Sequence, residues 1–542
     1  MTVSPQPTDA SEGVSVVVIA YNDAELVGDA ITSALAQGPA VAEVIAVDDA
    51  STDGTGAVLD GLARQEQRLR VIHRQDNSGG CGTPRNDGIA AAIAPYVMFL
   101  DSDDVLPPGA VGALLAAAEE HGAEVTVGAA VRRELPEGRE VRWQPGLYRQ
   151  AAVHEGAEQH PELLRDTLCV NKLYRRDFLM ANQLRFPEGK FVYEDFAFTA
   201  GVLAVASRIA VIPDVVYVWN VRRAARQVSI SLARKGIANW ESRIAAHAKA
   251  VEAFAKADRK TLAAACRTKF LDYDLGMYLR ELPSRDAGYQ RDWWRLTRAY
   301  LAGFEAGERA AASAPARWAA AVILACEAPR DLDRLAQLSA AHPRLLPPYT
   351  GPAAAPVWSD DLPEAALDGI GALTTAELPL TADGTVHTGR RTTLELRVHE
   401  LYGRIEAAGG VCSAAVDFVP RDGVEAGATV PVALSRTADA QGWCGRAEVP
   451  LEQLAARGGR STGIWEAQAR LGFADGSQAV VALRAMEGSL GRRLARGGRY
   501  GVLLVRLHRT SSGSLSVRLA SGPHALAGIV RRRLRKSFRP PR

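Results

Sequence analysis

The sequence predicts an α/β domain on a mostly parallel sheet, then a helical segment, then a C-terminal antiparallel β-sandwich. Three observations carry that expectation. Between residues 14 and 128, short β-branched runs alternate with stretches whose apolar residues recur at helical spacing. From about 233 to 341 the chain turns Ala-, Arg- and Leu-rich and keeps the helical period. Beyond a proline-dense stretch, apolar and polar residues alternate with the two-residue period of a half-buried strand.

In the first segment the candidate strands are Val14–Ala20 (VSVVVIA), 44–48, 71–73 and 97–100, and helices are expected over 24–37 and 55–65. Uninterrupted apolar strands separated by helices are those of a parallel sheet covered on both faces, where ligands bind beyond the carboxyl ends of the strands. The expected division is 1–232 for this domain, 233–341 for the helical segment, 342–384 for a Pro-rich linker and 385–542 for the sandwich with a basic tail. Within the helical segment, Trp293, Trp294, Leu296 and Tyr300 are assigned to packing, because no basic interleaving accompanies them as a base-stacking platform would require. Nucleic acid is therefore not an expected partner; self-association is a role open to this segment. The linker carries Pro343, Pro347, Pro348, Pro352, Pro356 and Pro363, which remove backbone donors and block helix. The sandwich is read from Leu394, Leu396 and Val398, from Val416 and Phe418, from Val430, Val432 and Leu434, and from 464–471 with the Asp475-Gly476 turn after it. A second hairpin is expected from 502–507 and 515–519, and Trp465 is assigned to sandwich core.

Composition bounds the function. At 542 residues, 47% hydrophobic and 23% charged, the chain is neither a disordered tail protein nor a disulfide-stapled miniprotein, and two or three domains are expected. Its six cysteines form no C-x-x-C pair, which argues against a zinc cage or a disulfide framework and for a reducing compartment. The longest uncharged apolar stretch near the front, 88–100, is thirteen residues with Pro95 inside it, short of the roughly 18 that cross a bilayer. Asp9 and Glu12, with no basic residue before an apolar core, do not read as a secretion signal, so a cytoplasmic location is expected. Residues 488–542 hold fourteen Lys/Arg and no Asp/Glu, leaving 50 Lys/Arg against 62 Asp/Glu, a balance of −12, over the rest. A basic end of this kind is either a solvated tail or a contact for something anionic. The run 525–530 with Arg531, Arg532, Arg533, Arg535 and Lys536 suits an anionic membrane surface, at the inner face of the cell membrane, and the polyphosphate backbone of a polymer equally.

Polar residues follow the strands where a parallel sheet presents them to a ligand: Tyr21, Asn22 and Asp23; Asp48 to Thr55; Asn77 to Asn86; and Asp101-Ser102-Asp103-Asp104. An aromatic ring stacks on a flat base, a carboxylate accepts from an imide N–H, and an arginine pairs with phosphate oxygens, which are the demands of a nucleotide.

The texts VSVVVIAYND, VIAVDDASTDGT, GGCGTPRNDGIA and FLDSDD, in that order over about 13–110, resemble the family-2 inverting glycosyltransferases of GT-A (Rossmann-like) fold, which use nucleotide-activated sugars. The resemblance implies that Tyr21 and Asp49 hold the base and that Arg85 lies near the diphosphate or ribose. It makes Asp101, Ser102 and Asp103 the D-x-D run, with Asp101 also on the nucleotide side. The common second motif has Gly where Ala50 stands. A departing diphosphate gathers negative charge that carboxylates cannot meet directly, so Mg²⁺ or Mn²⁺ held by Asp103, with Asp101 or Asp104, is expected. The bland reading of DSDD is an acidic turn, with Asp104 capping the following helix.

A second block, 171–176 (NKLYRR) with 186–195, resembles the acceptor-side segment of polymer-building members, which implies Asp195 as catalytic base and Glu194 as its neighbour. Inversion needs one carboxylate to take the acceptor hydroxyl proton, and adjacent acids repel, which raises one pKa. The bland reading is that both acids favour a helix dipole. Residues 217–223 and 227–231 resemble a donor-covering loop, making Arg222 and Arg223 candidate diphosphate clamps. The run Gly463, Trp465, Ala467, Arg470, Leu471 after a proline-bearing linker resembles accessory domains of actinobacterial enzymes that build or decorate wall teichoic acids. The expected activity is metal-dependent inverting transfer from a UDP-linked or similar sugar donor to a hydroxyl of a polymer or lipid-linked glycan. The alternative is a catalytically degenerate nucleotide-sugar-binding scaffold that recruits an envelope polymer assembly complex.

Overall fold

The apolar run Val14–Ala20 becomes the strand β1, buried at every position because it lies between two parallel neighbours, β2 (Val41–Asp48) and β4 (Tyr96–Asp101). Strand β3 (Leu69–His73) continues the parallel part beyond β2. The crossovers are helices α1 (Val27–Leu35), α2 (Thr55–Ala63) and α3 (Gly82–Ala91). Register aligns Ala20 with Asp48, Asp48 with His73 and Ile19 with Asp101, so all four carboxyl ends open on one edge. The structure, a computed structural model, describes residues 13–222, 234–388, 391–421, 427–457, 463–496, 502–510 and 512–521. The leader reading at 1–12, Arg223, the stretch 227–231 and the basic tail from 522 onward lie outside the described residues.

The rest of the first sheet is mixed. After α4 (Ala110–His121) come β5 (Val125–Leu135), β6 (Arg139–Arg142), β7 (Ala152–His154), β8 (Lys172–Arg175), α5 (Arg176–Ala181), α6 (Glu194–Val205) and β9 (Ile209–Arg222). The order is β3-β2-β1-β4-β8-β5-β9-β7, with β6 on β5, nine strands in all. The short β8 runs antiparallel between β4 and β5, while β5 and β9 pair in parallel. A four-residue strand bearing Lys172 and Arg175 has too little apolar period to announce itself.

Helix α3 lies close on β1. A Cβ added at Gly88 would stand 2.2 Å from Val17 Cγ1, and Val17 is wholly buried and cannot yield. Gly88→Ala is therefore expected to cost about 1–3 kcal/mol by overpacking. Urea unfolding measures it, and an unchanged midpoint would contradict this contact.

Contacts divide the chain into two units, Met1–Phe270 and Leu271–Arg542. The first ends in α7 (Ile237–Lys256) and α8 (Lys260–Lys269). Wholly buried Trp240 of α7 stacks on Phe270 with ring centroids 5.6 Å apart.

The second unit begins with helices whose Trp293, Trp294 and Trp318 are buried, as packing residues should be. The proline-dense stretch that follows has no long element, yet it is anchored. Trp358 is fully buried under the Arg334 guanidinium, 4.0 Å from its ring centroid, and its indole N–H donates to Asp331 at 2.8 Å. Then come a five-stranded and a seven-stranded sheet, antiparallel except where Ala382–Thr388 pairs with Arg484–Ala485. The alternation expected at Leu394, Leu396 and Val398 is borne out, since all three face the core of strand Thr392–His399. Trp465 is likewise core. Among the described residues no two cysteines are joined by a disulfide, and no helix is long and apolar enough to cross a membrane.

Candidate active site

The loops at the carboxyl edge are tied together by short polar side chains. Asn22, held at a positive φ of 56°, accepts through Oδ1 from the Thr52 N–H at 2.8 Å, and its own N–H donates to Ser51 Oγ at 3.0 Å. The Asp23 N–H donates to Thr55 Oγ1 at 2.8 Å. The turn after β1 is thereby fixed against the turn after β2, and Tyr21 projects from it, 44% exposed and free to stack on a planar group.

Asp49 is buried. Its carboxylate accepts from the Ser78 N–H at 3.0 Å, Ser78 Oγ at 2.8 Å and Asn77 Nδ2 at 3.1 Å, and forms an ion pair with Arg74 Nε at 2.8 Å. The residue assigned to base reading thus also braces the loop after β3. Ser78 lies in the polar run 77–86 read from the sequence, whereas Arg74 had no motif to mark it; its position directly after β3 was the available signal.

Arg85 is the hub. It is 2% exposed, and its Nη2 donates to Asp101 Oδ1 at 2.7 Å while Nη1 donates to Glu194 Oε1 at 2.6 Å and Asp195 Oδ1 at 3.0 Å. The sequence reading placed this arginine at the diphosphate or ribose; the structure turns both terminal nitrogens onto carboxylates. One guanidinium therefore joins the DSDD turn to the acidic pair at the start of α6, which puts the D-x-D run and Asp195 on one site.

The DSDD residues have separate environments. Ser102 donates its hydroxyl to Asp23. Asp103 is partly exposed, and burial together with the Asp101 and Asp23 carboxylates pushes it up to about 6, against the pull of Arg222. The guanidinium of Arg222 stands 3.5 Å from Asp103 Oδ2 and donates to the Asp103 carbonyl at 3.3 Å. Asp104 points inward: it is 2% exposed and accepts from the Tyr217 hydroxyl at 2.6 Å and the Asn220 N–H at 2.7 Å. Burial pushes its carboxyl well up. The cap expectation for Asp104 needs correction, since α4 starts at Ala110 after Gly109. Its carboxylate is held instead by β9.

Glu194 and Asp195 occupy the first turn of α6, so the dipole reading and the site reading both describe where they lie. Burial and the Asp195 charge lift Glu194 to about 7, with Arg85 opposing. Asp195 Oδ2 also accepts from the Cys169 N–H at 3.3 Å. That N–H belongs to a segment fixed by a buried cluster: Asp166 accepts from Lys172 Nζ at 2.9 Å, Asn171 Nδ2 at 2.8 Å, Trp143 Nε1 at 2.9 Å and the Tyr148 hydroxyl. Lys172 is the largest influence holding the Asp166 carboxyl below its ordinary range against burial. Asn171 and Lys172 of the NKLYRR block are thus internal braces, buried at 0% and 2% exposure.

The cation question turns on donor chemistry. The facing groups are carboxylate oxygens, which suit Mg²⁺ or Mn²⁺, and the raised proton affinity of Asp103 marks a charge that Arg222 leaves incompletely neutralised. Among the described residues no three His, Cys, Asp or Glu form a ready cage. Asp101 and Asp103 would fit as two oxygen ligands for such a cation.

Residues 15–181 match the family model described as glycosyl transferase family 2. The succinoglycan biosynthesis protein ExoO of Rhizobium meliloti (strain 1021) is 32% identical over 231 residues, 41% of this chain and 65% of that protein. A poly(ribitol-phosphate) beta-glucosyltransferase of Bacillus spizizenii is 29% identical over 220 residues, 40% of this chain and 34% of that protein. The poly(ribitol-phosphate) beta-N-acetylglucosaminyltransferase TarS of Staphylococcus aureus (strain MW2) is 30% identical over 217 residues, 40% of this chain and 36% of that protein. The alignments thus span less than two thirds of each relative's length. The crystal structure of S. aureus TarS matches in fold with a TM-score of 0.53 at 17% identity, over 95% of this chain and 86% of that one.

Proposed function

From a chain whose residues 15–181 form a glycosyl transferase family 2 domain, we infer a metal-dependent inverting glycosyltransferase that moves a sugar from a UDP-linked donor to a hydroxyl of a cell-surface polymer. The observation that carries this reading is the Arg85 guanidinium shared between Asp101 and the Glu194–Asp195 pair. It brings a carboxylate suited to the donor's metal-bound diphosphate and a carboxylate suited to the acceptor's proton into one constellation.

Each residue has a task in this mechanism. Tyr21 stacks on the base, and Asp49 accepts from its imide while bracing the 74–78 loop. Asp101 and Asp103 would hold the cation, which would supply positive charge to the leaving diphosphate. Arg222 adds positive charge on the same side. Asp195 takes the acceptor proton as the hydroxyl oxygen attacks the anomeric carbon from the face opposite the phosphate. Arg85 fixes the direction of that carboxylate and spreads the charge of three acids over one buried cation. The relatives named for succinoglycan and poly(ribitol-phosphate) support a polymer acceptor. Work on such an acceptor puts the enzyme in the cytoplasm at the inner membrane face.

The test is release of nucleoside diphosphate from a panel of nucleotide sugars, with and without poly(ribitol phosphate). Acceptor-dependent release is expected, abolished by EDTA and restored by Mn²⁺. Full turnover in metal-free buffer would remove Asp101 and Asp103 from their role. Donor binding with no release under any acceptor would favour the scaffold reading.

A further inference from the structure

The seven-stranded C-terminal sheet carries a line of arginines that the site above does not use. Its strands Val411–Pro420, Gly463–Phe473, Leu515–Ser521, Val502–Arg509 and Gly491–Arg496 lie side by side in that order. Register sets Arg492 opposite Arg506, Arg506 opposite Arg518, and Arg518 opposite Ile464. The N–H of Arg421, directly after Pro420, donates to the Ile464 carbonyl at 3.1 Å, which extends the same line. All four arginines are exposed, while Val505, Leu507, Val517 and Leu519 between them face the core. Like charges directly opposite each other weaken a sheet, so packing does not account for the row. Among the described residues no carboxylate pairs with Arg492, Arg506 or Arg518; Arg421 has Glu466 at 3.2 Å. The field is felt locally as well: burial and then the charges of Arg506, Arg421 and Arg518 push the neighbouring His508 imidazole down.

We propose that this arginine row binds the phosphodiester backbone of an anionic polymer, holding the acceptor of the transfer reaction inferred above. Guanidinium forks pair with phosphate oxygens two at a time, and strands about 4.8 Å apart lay the row out over about 20 Å. The charge forms a line one residue wide. Leu494 and Leu504 flank it on one side, and Glu466 lies beyond it on the other. An anionic bilayer would meet the whole face, including the Glu466 and Asp417 carboxylates, whereas a chain of phosphodiesters follows the row alone. The proposal rests on the transfer reading only for calling the polymer an acceptor; binding itself needs no donor.

The experiment uses the full chain with poly(glycerol phosphate), with dextran as an uncharged control and with vesicles of phosphatidylcholine and phosphatidylglycerol at 3:1. Wild type is expected to bind poly(glycerol phosphate) and not dextran, with affinity falling steeply as salt rises. The double variant R506Q/R518Q should bind on the order of tenfold or more weakly, with a log–log salt slope smaller by about two, and R506K/R518K should recover the slope but only part of the affinity. Nucleotide release with a short monomeric acceptor should be unchanged in R506Q/R518Q, while the KM for long polymer rises. Unaltered polymer binding by a folded R506Q/R518Q overturns the proposal, as does wild type that binds the vesicles and not the polymer. Should R506Q/R518Q melt early, the single variants R506Q and R518Q decide: unaltered polymer binding by both, or a salt-insensitive wild type, counts against the row. Polymer binding that depends on the row in a chain with no transfer from any donor would leave this site standing and remove the glycosyltransferase reading, so the two fail separately.

Discussion

Asp195→Asn is expected to bind nucleotide sugar as wild type does and to transfer it about 10²–10⁴-fold more slowly. The substitution keeps size and shape, and its one amide oxygen can meet either Arg85 Nη1 or the Cys169 N–H, which now lie 3.0 and 3.3 Å from the two different carboxylate oxygens. What is lost is the capacity to accept a proton. Donor affinity by calorimetry, set beside nucleotide release with acceptor, separates the two effects; unimpaired turnover would remove Asp195 from the mechanism. Glu194→Gln should show a different signature, because burial lifts Glu194 from 4.5 to about 7 in the folded protein. Between those values the folded state binds a proton that the unfolded state has released, so the stability from this group is full below 4.5 and declines as pH rises through 7. Glutamine cannot titrate. The melting temperature of Glu194→Gln should therefore gain on wild type between pH 4.5 and pH 7, and a difference independent of pH would contradict the buried position of Glu194.

Much of this site was legible because parallel sheets place ligands at one edge. Four apolar runs with polar residues after them already located Tyr21, Asp49, Asp101 and Asp103, and the structure brings those turns together. The antiparallel β8 was hidden, since a four-residue strand beginning at Lys172 has no period to read. The sequence offers Asp104 as a cap because an apolar helix follows it, yet Gly109 holds that position. The partners of Asp104, Tyr217 and Asn220, lie more than a hundred residues away on β9. The direction of Arg85 was hidden for the same reason: its carboxylates come from β4 and α6, and only folding brings them within reach of one side chain.

The largest loss of stability should follow from removing that side chain. Arg85→Met keeps the length and apolar body of the residue and leaves Asp101, Glu194 and Asp195 facing one another without a cation. Breaking a buried ionic cluster from one side costs about 3–5 kcal/mol, because the partners stay desolvated and uncompensated. A lysine is a single point charge and cannot donate in the two directions that Nη1 and Nη2 cover, so Arg85→Lys should recover only part of the loss and little of the activity. The mechanism of the loss is tested by the double variant Arg85→Met/Glu194→Gln. With one acid neutralised the repulsion falls, and the pair should be more stable than additivity allows, by about 0.5–3 kcal/mol. Urea unfolding of the four proteins at pH 7.5 closes that cycle. Strict additivity would mean that Arg85 stabilises the fold by filling space over Phe186, whose ring centroid lies 5.3 Å from the guanidinium, rather than by holding the three acids.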